Sequence, residues 1–386
     1  MMKMCVVSLQ LRRSTEVFKV ILQAWKLDTE NNTFSHELDI DYATSIIWIQ
    51  RYQDVGEFEL YVRATAELID LFKNEIFLIR SDSTYGMYVE TVKLTTSVED
   101  GDYLTVTGRS AELMALWRVI KLKSYTSAST TAEYIIRDCL TTTLIQTGSI
   151  FTSDDYIPFL SLETAHGWTD YVQRQFTGKR LYDIIQDLCI TFGYGFRFVW
   201  NGAGFEVQLY KGTDRSYGQS ENSYVIFSPA FDNLTSTEYI KDNSDYYNTA
   251  IIAGQGEGYE RFIAYVYSDN NIQFKRRTLW IDARNSSKNQ DGGELTDNQY
   301  RKQLQEQGRA AISEHKKNES FIGEVFTQGS FQYGVDYFLG DKVAVENEYG
   351  ITGNATVTEI TEVEDESGYR LVPTLSDWTV NEIEED

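Results

Sequence analysis

Proline and histidine are scarce in this chain, three of each among 386 residues. So little proline, with no low-complexity tract, excludes a proline-rich linker or a disordered architecture. His36, His166 and His315 lie far apart, with no companion Cys or His at ligand spacing, so no metal-site pattern is present. Cysteine is equally rare: Cys5, Cys139 and Cys189 form no CxxC and no disulfide framework. That usage fits folding in a reducing compartment. No apolar run reaches the ~18 residues that a membrane-spanning helix needs, so no membrane anchor is expected. The start, Met1 to Val7, is faintly signal-like, but Arg12 and Arg13 cut its apolar stretch, and a leader before the first strand is the better reading. Basic charge is the last shortage. Lys and Arg number 35 against 58 Asp and Glu, a formal charge of −23. A chain this acidic repels phosphate backbones and anionic lipid heads, which argues against nucleic acid or a membrane surface as a specific partner. The acid is uneven: residues 341–386 hold 13 acidic and two basic residues, whereas 1–26 hold one acidic and five basic.

Catalytic signatures are missing too. There is no G-x-S-x-G, no H-E-x-x-H and no catalytic cysteine context. Gly254-Gln255-Gly256-Glu257-Gly258 has the wrong spacing for a dinucleotide loop, and its glutamate would oppose a phosphate, so a hairpin turn is expected. Asp54, Glu57 and Glu59 can be drawn as a glycosidase pair. Among 58 carboxylates some pair always falls at a suggestive spacing, and Glu57 and Glu59 fall on the solvent side of an alternating strand. Lys275-Arg276-Arg277 reads as a solvated strand end, or as a contact for an acidic neighbour. No catalytic, cofactor-binding or metal-binding residue is assigned, and the expectation is a protein that is not an enzyme.

Aromatics are abundant at 14%, with 26 Tyr, side chains that suit half-buried strands and subunit interfaces. Strand patterns run through Phe18–Leu27, Ser45–Arg51, Gly56–Val62, Ile76–Arg80, Met87–Thr96 and Tyr103–Thr107, with a short helix capped by Thr65. Residues 110–193 read as helix-rich. Ser110 is placed as a cap before Leu113, Leu116 and Trp117, and Thr130 or Thr131 as a cap before Tyr134, Ile135 and Cys139. Lys179–Phe192 has helical spacing and Gly193 where a terminating glycine belongs. Strands return at Gly195–Trp200 and Phe205–Tyr210, then at Ser223–Phe227, Ser236–Tyr239, Asn248–Ala253, Tyr259–Tyr267 and Lys275–Ala283. A helix opens at Thr296 or Asp297 and runs to about Lys317, and strand resumes from Glu324 to Leu375.

Two segments resemble one another at an offset of 265. Thr91-Val92-Lys93-Leu94-Thr95 leads through an acidic turn to Tyr103, and Thr356-Val357-Thr358-Glu359-Ile360 leads through another to Tyr369. β-Hairpins converge readily, so the match alone does not separate chance from duplication; if it is real, two copies of one β-domain are present.

The run Ile49-Gln50-Arg51-Tyr52-Gln53-Asp54-Val55-Gly56-Glu57-Phe58-Glu59-Leu60 resembles the opening signature of the baseplate-hub, or tail-associated, family of long-tailed phages and prophages. The likeness continues in order through Gly101 to Ser110, Leu209 to Tyr217, Val225 to Leu234, Trp280 to Arg284 and Tyr333 to Asp341, with Val345 to Gly350 after it. It covers roughly residues 18–376. The resemblance implies an α+β, mainly β fold with two β-barrel-like tube domains and a helix-containing insertion. In those terms 1–17 is a leader, and 18–110 with 195–245 is a discontinuous first tube domain. Residues 111–194 are the insert, 246–376 the second tube domain with a helix near 296–317, and 377–386 an acidic tail. It further implies a homotrimeric ring in the virion, joining a six-fold tail tube to a three-fold tip. The implied partners are the distal tail protein ring, the tail tube or tape measure protein, and a tip fibre or spike. DNA would pass through the lumen without specific binding, and no cofactor is implied. Because the chain ends at Asp386, no added peptidase or fibre domain is expected. The alternatives are a tip-borne cell-wall hydrolase and a glycan-binding receptor module. Part of the acid charge is expected to line the channel, with Glu57, Glu59, Glu359 and Glu362 as candidates; surface charge for solubility is the alternative.

Overall fold

The structure, a computed structural model, describes residues 20–380 apart from 100, 146–155, 232, 269–271, 291–292, 316, 326–330, 348 and 350–351. The expected leader at 1–17, and residues 381–386 of the expected tail, lie outside the described residues. The chain is mostly β with few helices.

The first unit holds β1 (Leu22–Asp28), β2 (Thr33–Ile40), β3 (Ser45–Arg51), β4 (Glu57–Arg63), β5 (Ile76–Arg80), β6 (Gly86–Thr95) and β7 (Tyr103–Ser110). Its strands alternate because successive side chains point to opposite faces. Ile46 and Trp48 of β3 are buried with Phe58, Leu60 and Val62 of β4, while Glu57 and Glu59 stay exposed. Between β4 and β5, α1 (Ala66–Leu71) is capped by Thr65, whose hydroxyl accepts from the Leu68 amide at 3.1 Å. It sends Leu68 and Leu71 into the same core as Trp48.

The insert that follows contains β8 (Val119–Tyr125), α2 (Ala132–Leu140), β9 (Leu160–Leu162), β10 (Arg174–Arg180), α3 (Leu181–Phe192), β11 (Gly195–Trp200) and β12 (Phe205–Tyr210). Its core packs the apolar faces of α2 and α3 against Phe196, Phe198 and Val207. α3 ends as expected, with Gly193 at φ 67 in the left-handed region. Two expectations differ. Ser110 precedes a 3-10 helix, Ala111–Trp117, and does not cap it; its hydroxyl accepts from the Gly56 amide at 2.7 Å. The stretch expected to be helix-rich also holds β8, β9 and β10. β8 and β10 pair with each other as a two-stranded ribbon, and much of each lies exposed, so neither carries a clean apolar alternation.

The second unit starts with β13 (Ile226–Phe227) and β14 (Leu234–Asp242). A smaller body interrupts it: β15 (Thr249–Ala253), β16 (Ile263–Tyr267), β17 (Thr278–Asp282), β18 (Asn289–Gln290), β19 (Gly293–Glu294) and α4 (Asp297–Glu314). α4 opens with a capping box between Thr296 and Gln299 and buries Tyr300 and Leu304 against Ala250 and Ile252. The unit resumes with β20 (Asn318–Val325), β21 (Lys342–Glu346), β22 (Thr352–Asp365) and β23 (Gly368–Val380).

One sheet of 13 strands runs through both units in the order β14-β20-β23-β22-β3-β4-β7-β6-β5-β1-β2, with β13-β21 branching from β22. The order contains one pattern twice. In the first unit β3-β4-β7-β6-β5 are neighbours; in the second, β14-β20-β23-β22-β21 are, and each set follows the same chain order. Even a bulge recurs at the 265-residue offset: β6 shifts register between Val89 and Thr91, and β22 between Asn354 and Thr356. The two hairpins singled out in the sequence are therefore topological equivalents in one sheet.

Strand pairing divides the middle of the chain differently from the boundaries expected at 195–245. β11 and β12 pair within the insert, β12 running parallel to β9, and β13 and β14 pair with β21 and β20 of the second unit. The reason is burial. Phe196, Phe198, Phe205 and Val207 face the insert helices, whereas Val225 and Phe227 face Val343 and Val357.

Candidate functional site

The two units meet where β22 runs antiparallel to β3, Glu359 opposite Arg51 through to Glu364 opposite Ile46. β22 serves two neighbours on one edge. Its first half pairs with β21 and its second with β3. Charged side chains tie this seam on both faces of the sheet. On one face, Arg51 Nε bonds Glu359 at 2.6 Å and its Nη1 bonds Glu57 at 3.0 Å. The carboxylates, outweighing partial burial, hold the Arg51 pKa above its ordinary value. On the other face lies Arg80, 5% exposed, at the end of the apolar run of β5. It forks onto Asp82 through bonds of 2.9 and 2.7 Å and reaches Glu362 at 2.6 Å. Tyr369 donates its hydroxyl to Glu362. Burial opposes the charge of Arg80, but the two carboxylates overcome it and raise its pKa. Burial and the Glu362 carboxylate push the Tyr369 phenol well up.

Tyr52 is the second joint, connecting both units and the insert. Its amide donates to Thr358 O at 2.9 Å, and its carbonyl accepts from Phe196 N at 3.3 Å. Its hydroxyl donates to Gly193 O at 2.8 Å and accepts from Gly212 N at 3.3 Å. Burial raises the phenol to about 12. The ring lies so close to Gly195 and Gly340 that a Cβ there would fall 2.2 and 2.3 Å from it. A third joint is Asp341, which is buried. It accepts from Arg215 Nε at 2.7 Å, Thr213 N at 2.7 Å and Phe338 N at 3.0 Å, tying the entry of the second unit to its later turn.

The sequence candidates are placed as follows. Asp54 accepts from the Tyr182 hydroxyl, and Glu57 pairs with Arg51, so the drawn glycosidase set is divided between an insert contact and the seam. Of the four proposed channel carboxylates, Glu57 and Glu59 are exposed and Glu359 is half-buried against Arg51. Glu362 is a correction: the alternation of β22 turns it toward Trp48 and Arg80, where it is only 6% exposed. The three histidines are not brought together. His36 meets Asp39 at 2.8 Å, His315 meets Asp245 at 2.7 Å, and His166 stacks on Trp168 with 4.5 Å between ring centroids. Among the described residues no group of three or more His, Cys, Asp or Glu is arranged to hold a metal ion. The Gly254–Gly258 turn joins β15 to β16, with Gly256 at φ 102, and Arg261 folds back to bond Ala253 O at 2.7 Å and Gly254 O at 3.0 Å. Arg276 and Arg277 lie over the rings of Tyr267 and Tyr246 at 5.6 and 5.8 Å.

Sequence reasoning missed Arg80, Tyr52, Asp341 and Arg215 as joints. Only Arg80 carried a local signal, a lone cation closing the otherwise apolar Ile76-Phe77-Leu78-Ile79. The arrangement holds strands together.

The family model of siphovirus ReqiPepy6 Gp37-like proteins matches residues 27–375. In fold, the chain is similar to the tail protein from Neisseria meningitidis MC58. The two are 10% identical, the match covers 93% of this chain and 97% of that one, and the TM-score is 0.56. It is also similar to the 43 kDa tail protein of prophage MuSo2 from Shewanella oneidensis, at 13% identity, 92% and 98% coverage and a TM-score of 0.52. A comparison with curated proteins finds no match.

Proposed function

Because the chain belongs to the siphovirus ReqiPepy6 Gp37-like family, a phage tail-associated family, we propose that it is the structural hub of a tail tip or baseplate. In this reading three chains form a ring, each contributing two β units that act as barrel-like wall segments. The ring joins a six-fold tail tube and distal tail ring to a three-fold tip and lets DNA pass. One observation supports the reading: the repeated strand order, in which two sets of five strands follow the same chain order, as two equivalent wall segments would. A closed ring of three such chains presents six similar units toward the tube and three whole chains toward the tip. The domain division that suits this function has a first β unit, an inserted domain, and a second β unit interrupted by a small body around α4.

The hub is structural and not an enzyme. Its carboxylates at the seam are engaged by Arg51 and Arg80, and Asp341 at the third joint by Arg215, which supports a role as ties. Light scattering of the 44.4 kDa chain, with negative-stain imaging, tests the ring. A trimer with a central hole is expected, and a monomer at every concentration tested refutes it. Incubation with host cell wall tests the other half: turnover abolished by one Asp or Glu substitution refutes the structural role. Tight, salt-sensitive retention of duplex DNA by the assembled ring refutes a passive channel.

A glycan-binding role has its own support. On β16 and β17, Tyr265, Tyr267 and Trp280 are about half exposed, and the two Tyr rings are parallel within 2°. Saccharide titration monitored by Trp fluorescence tests it, with a response lost in Trp280→Ala.

A further inference from the structure

We infer that β14 of one chain pairs, antiparallel, with the Thr91–Thr95 edge of β6 in a second copy, so that the main sheet continues from chain to chain. The inference rests on the ring reading and names the surfaces that close it. The template is inside the chain. In the second unit β22 offers one edge first to β21, then to β3 of the first unit. In the first unit β6 is the equivalent of β22. It pairs with β5 only at Gly86–Tyr88, and beyond that, among the described strands, its remaining length pairs with β7 alone. The equivalent of β3 is β14, which stands at the end of the sheet with β20 as its one described neighbour. Whatever rotation carries the first unit onto the second carries the β3·β22 seam onto a β14·β6 seam, and the β6 of that seam must belong to another copy. Such head-to-tail contacts close into a ring when the rotation divides the circle.

Side chains on the two edges support this. Thr91 and Thr356 occupy the same place in the shared bulge, so Val92 answers to Val357. Allowing for the second bulge of β22, between Val357 and Glu359, Leu94 answers to Ile360 and Lys93 to Glu359. Val357 and Ile360 are 0% exposed, whereas Val92 is 39% and Leu94 47% exposed. Val357 and Ile360 are buried in the second unit's own core, whereas Val92 and Leu94 remain open, and an open strand edge with exposed apolar residues is a template for pairing. On β14, Ile240 is likewise exposed. The sheet's other end, β2, is blunted by exposed His36, Glu37 and Asp39.

Hydrogen exchange resolved to single residues on the full chain provides the test. An antiparallel edge strand protects alternate amides, and a strand paired on both sides protects consecutive ones. In the assembled wild type, consecutive protection is expected through 91–95 and 238–242. The variant carrying Val92→Glu and Leu94→Glu changes only exposed positions, and is expected to lose the trimer while keeping the wild-type circular dichroism. A wild-type trimer with alternate protection in those segments overturns the pairing and leaves the ring reading standing, as does a variant that remains fully trimeric. A wild type that never leaves the monomer overturns the ring reading, and the pairing with it.

Discussion

Arg80→Met isolates the energetics of the seam. Arg80 and Glu362 are almost inaccessible at 6% and 7% side-chain exposure, and they meet at 2.6 Å. Methionine fills much of the arginine stem's volume but leaves Glu362 buried with only the Tyr369 hydroxyl as a donor. Removing one partner of a buried pair costs about 3–5 kcal/mol, because the remaining charge is uncompensated. The bond to Asp82 adds little, since that side chain is 58% exposed and an exposed pair contributes ~0–1 kcal/mol. Replacing both ends, Arg80→Met with Glu362→Leu, should recover most of the loss, as apolar replacement of a whole buried pair is often neutral. Urea unfolding monitored by Trp fluorescence measures both variants, Trp48 lying opposite Glu362 in the seam. Acid adds a second handle. Burial opposes the Asp82 charge, but Arg80 lowers its pKa overall, so this contribution is present above the unfolded carboxylate value and is lost as pH falls. The gap between wild type and Arg80→Met should therefore narrow below about pH 4. A single variant that loses under about 1 kcal/mol, or a double variant as unstable as the single, refutes the reasoning.

Glu112 is buried, which raises its pKa, while one carboxyl oxygen accepts from Phe198 N at 2.8 Å. A carboxyl raised in the folded state loses stability as pH climbs above its unfolded value. Glu112→Gln keeps the acceptor, and its stability relative to wild type should grow from about pH 4.5 upward; a pH-independent difference counts against this. Burial pushes the Cys139 thiol up to about 11, and Cys189 is raised further by the same cause. Peptide mapping after iodoacetamide at pH 8 should find both unmodified in the native protein and modified in urea. Gly340 has φ 89 and nearly touches Tyr52, so Gly340→Ala should cost about 1–3 kcal/mol through backbone strain and crowding. Tyr52→Phe should cost about 1 kcal/mol by removing the hydroxyl bridge between Gly193 and Gly212. Denaturation curves check both.

Much of the fold was legible because local rules decided it. Ser45–Arg51, Ile76–Arg80, Gly195–Trp200 and Phe205–Tyr210 each have the bounds read from alternation or apolar content. Thr65, Thr131 and Thr296 cap the helices they precede. What failed was decided at a distance. β2 is largely exposed, and β8 and β10 are polar ribbons that exist because they pair with each other. Ser110 looked like a cap, but Gly56 across the sheet claims its hydroxyl. Glu362 shares the face of the buried Ile360, and Arg80, brought over from β5, holds its charge in the interior. No local pattern marks a carboxylate whose partner lies hundreds of residues away in sequence.

The repeat was faint in sequence because its two copies are interrupted at different joints. In the first, the strands β3 to β7 run on with only α1 between them, and the long insert follows β7. In the second, the smaller body falls between β14 and β20, splitting the hairpin that corresponds to β3–β4. The run β5–β6–β7 against β21–β22–β23 is uninterrupted in both, and its last hairpin is the segment in which the 265-residue offset survives. The two interruptions also meet in space. α3 packs against α4, and Gln303 of α4 bonds Gln175 of β10 at 2.8 Å. Added chain has thus been gathered into one mass, while β14 and the second half of β6 keep an open edge. Insertions are tolerated where they break no pairing that the assembly uses. Their placement is therefore an independent constraint on the ring: both interruptions leave intact the hairpin that supplies β22 to the internal seam and β6 to the proposed external one.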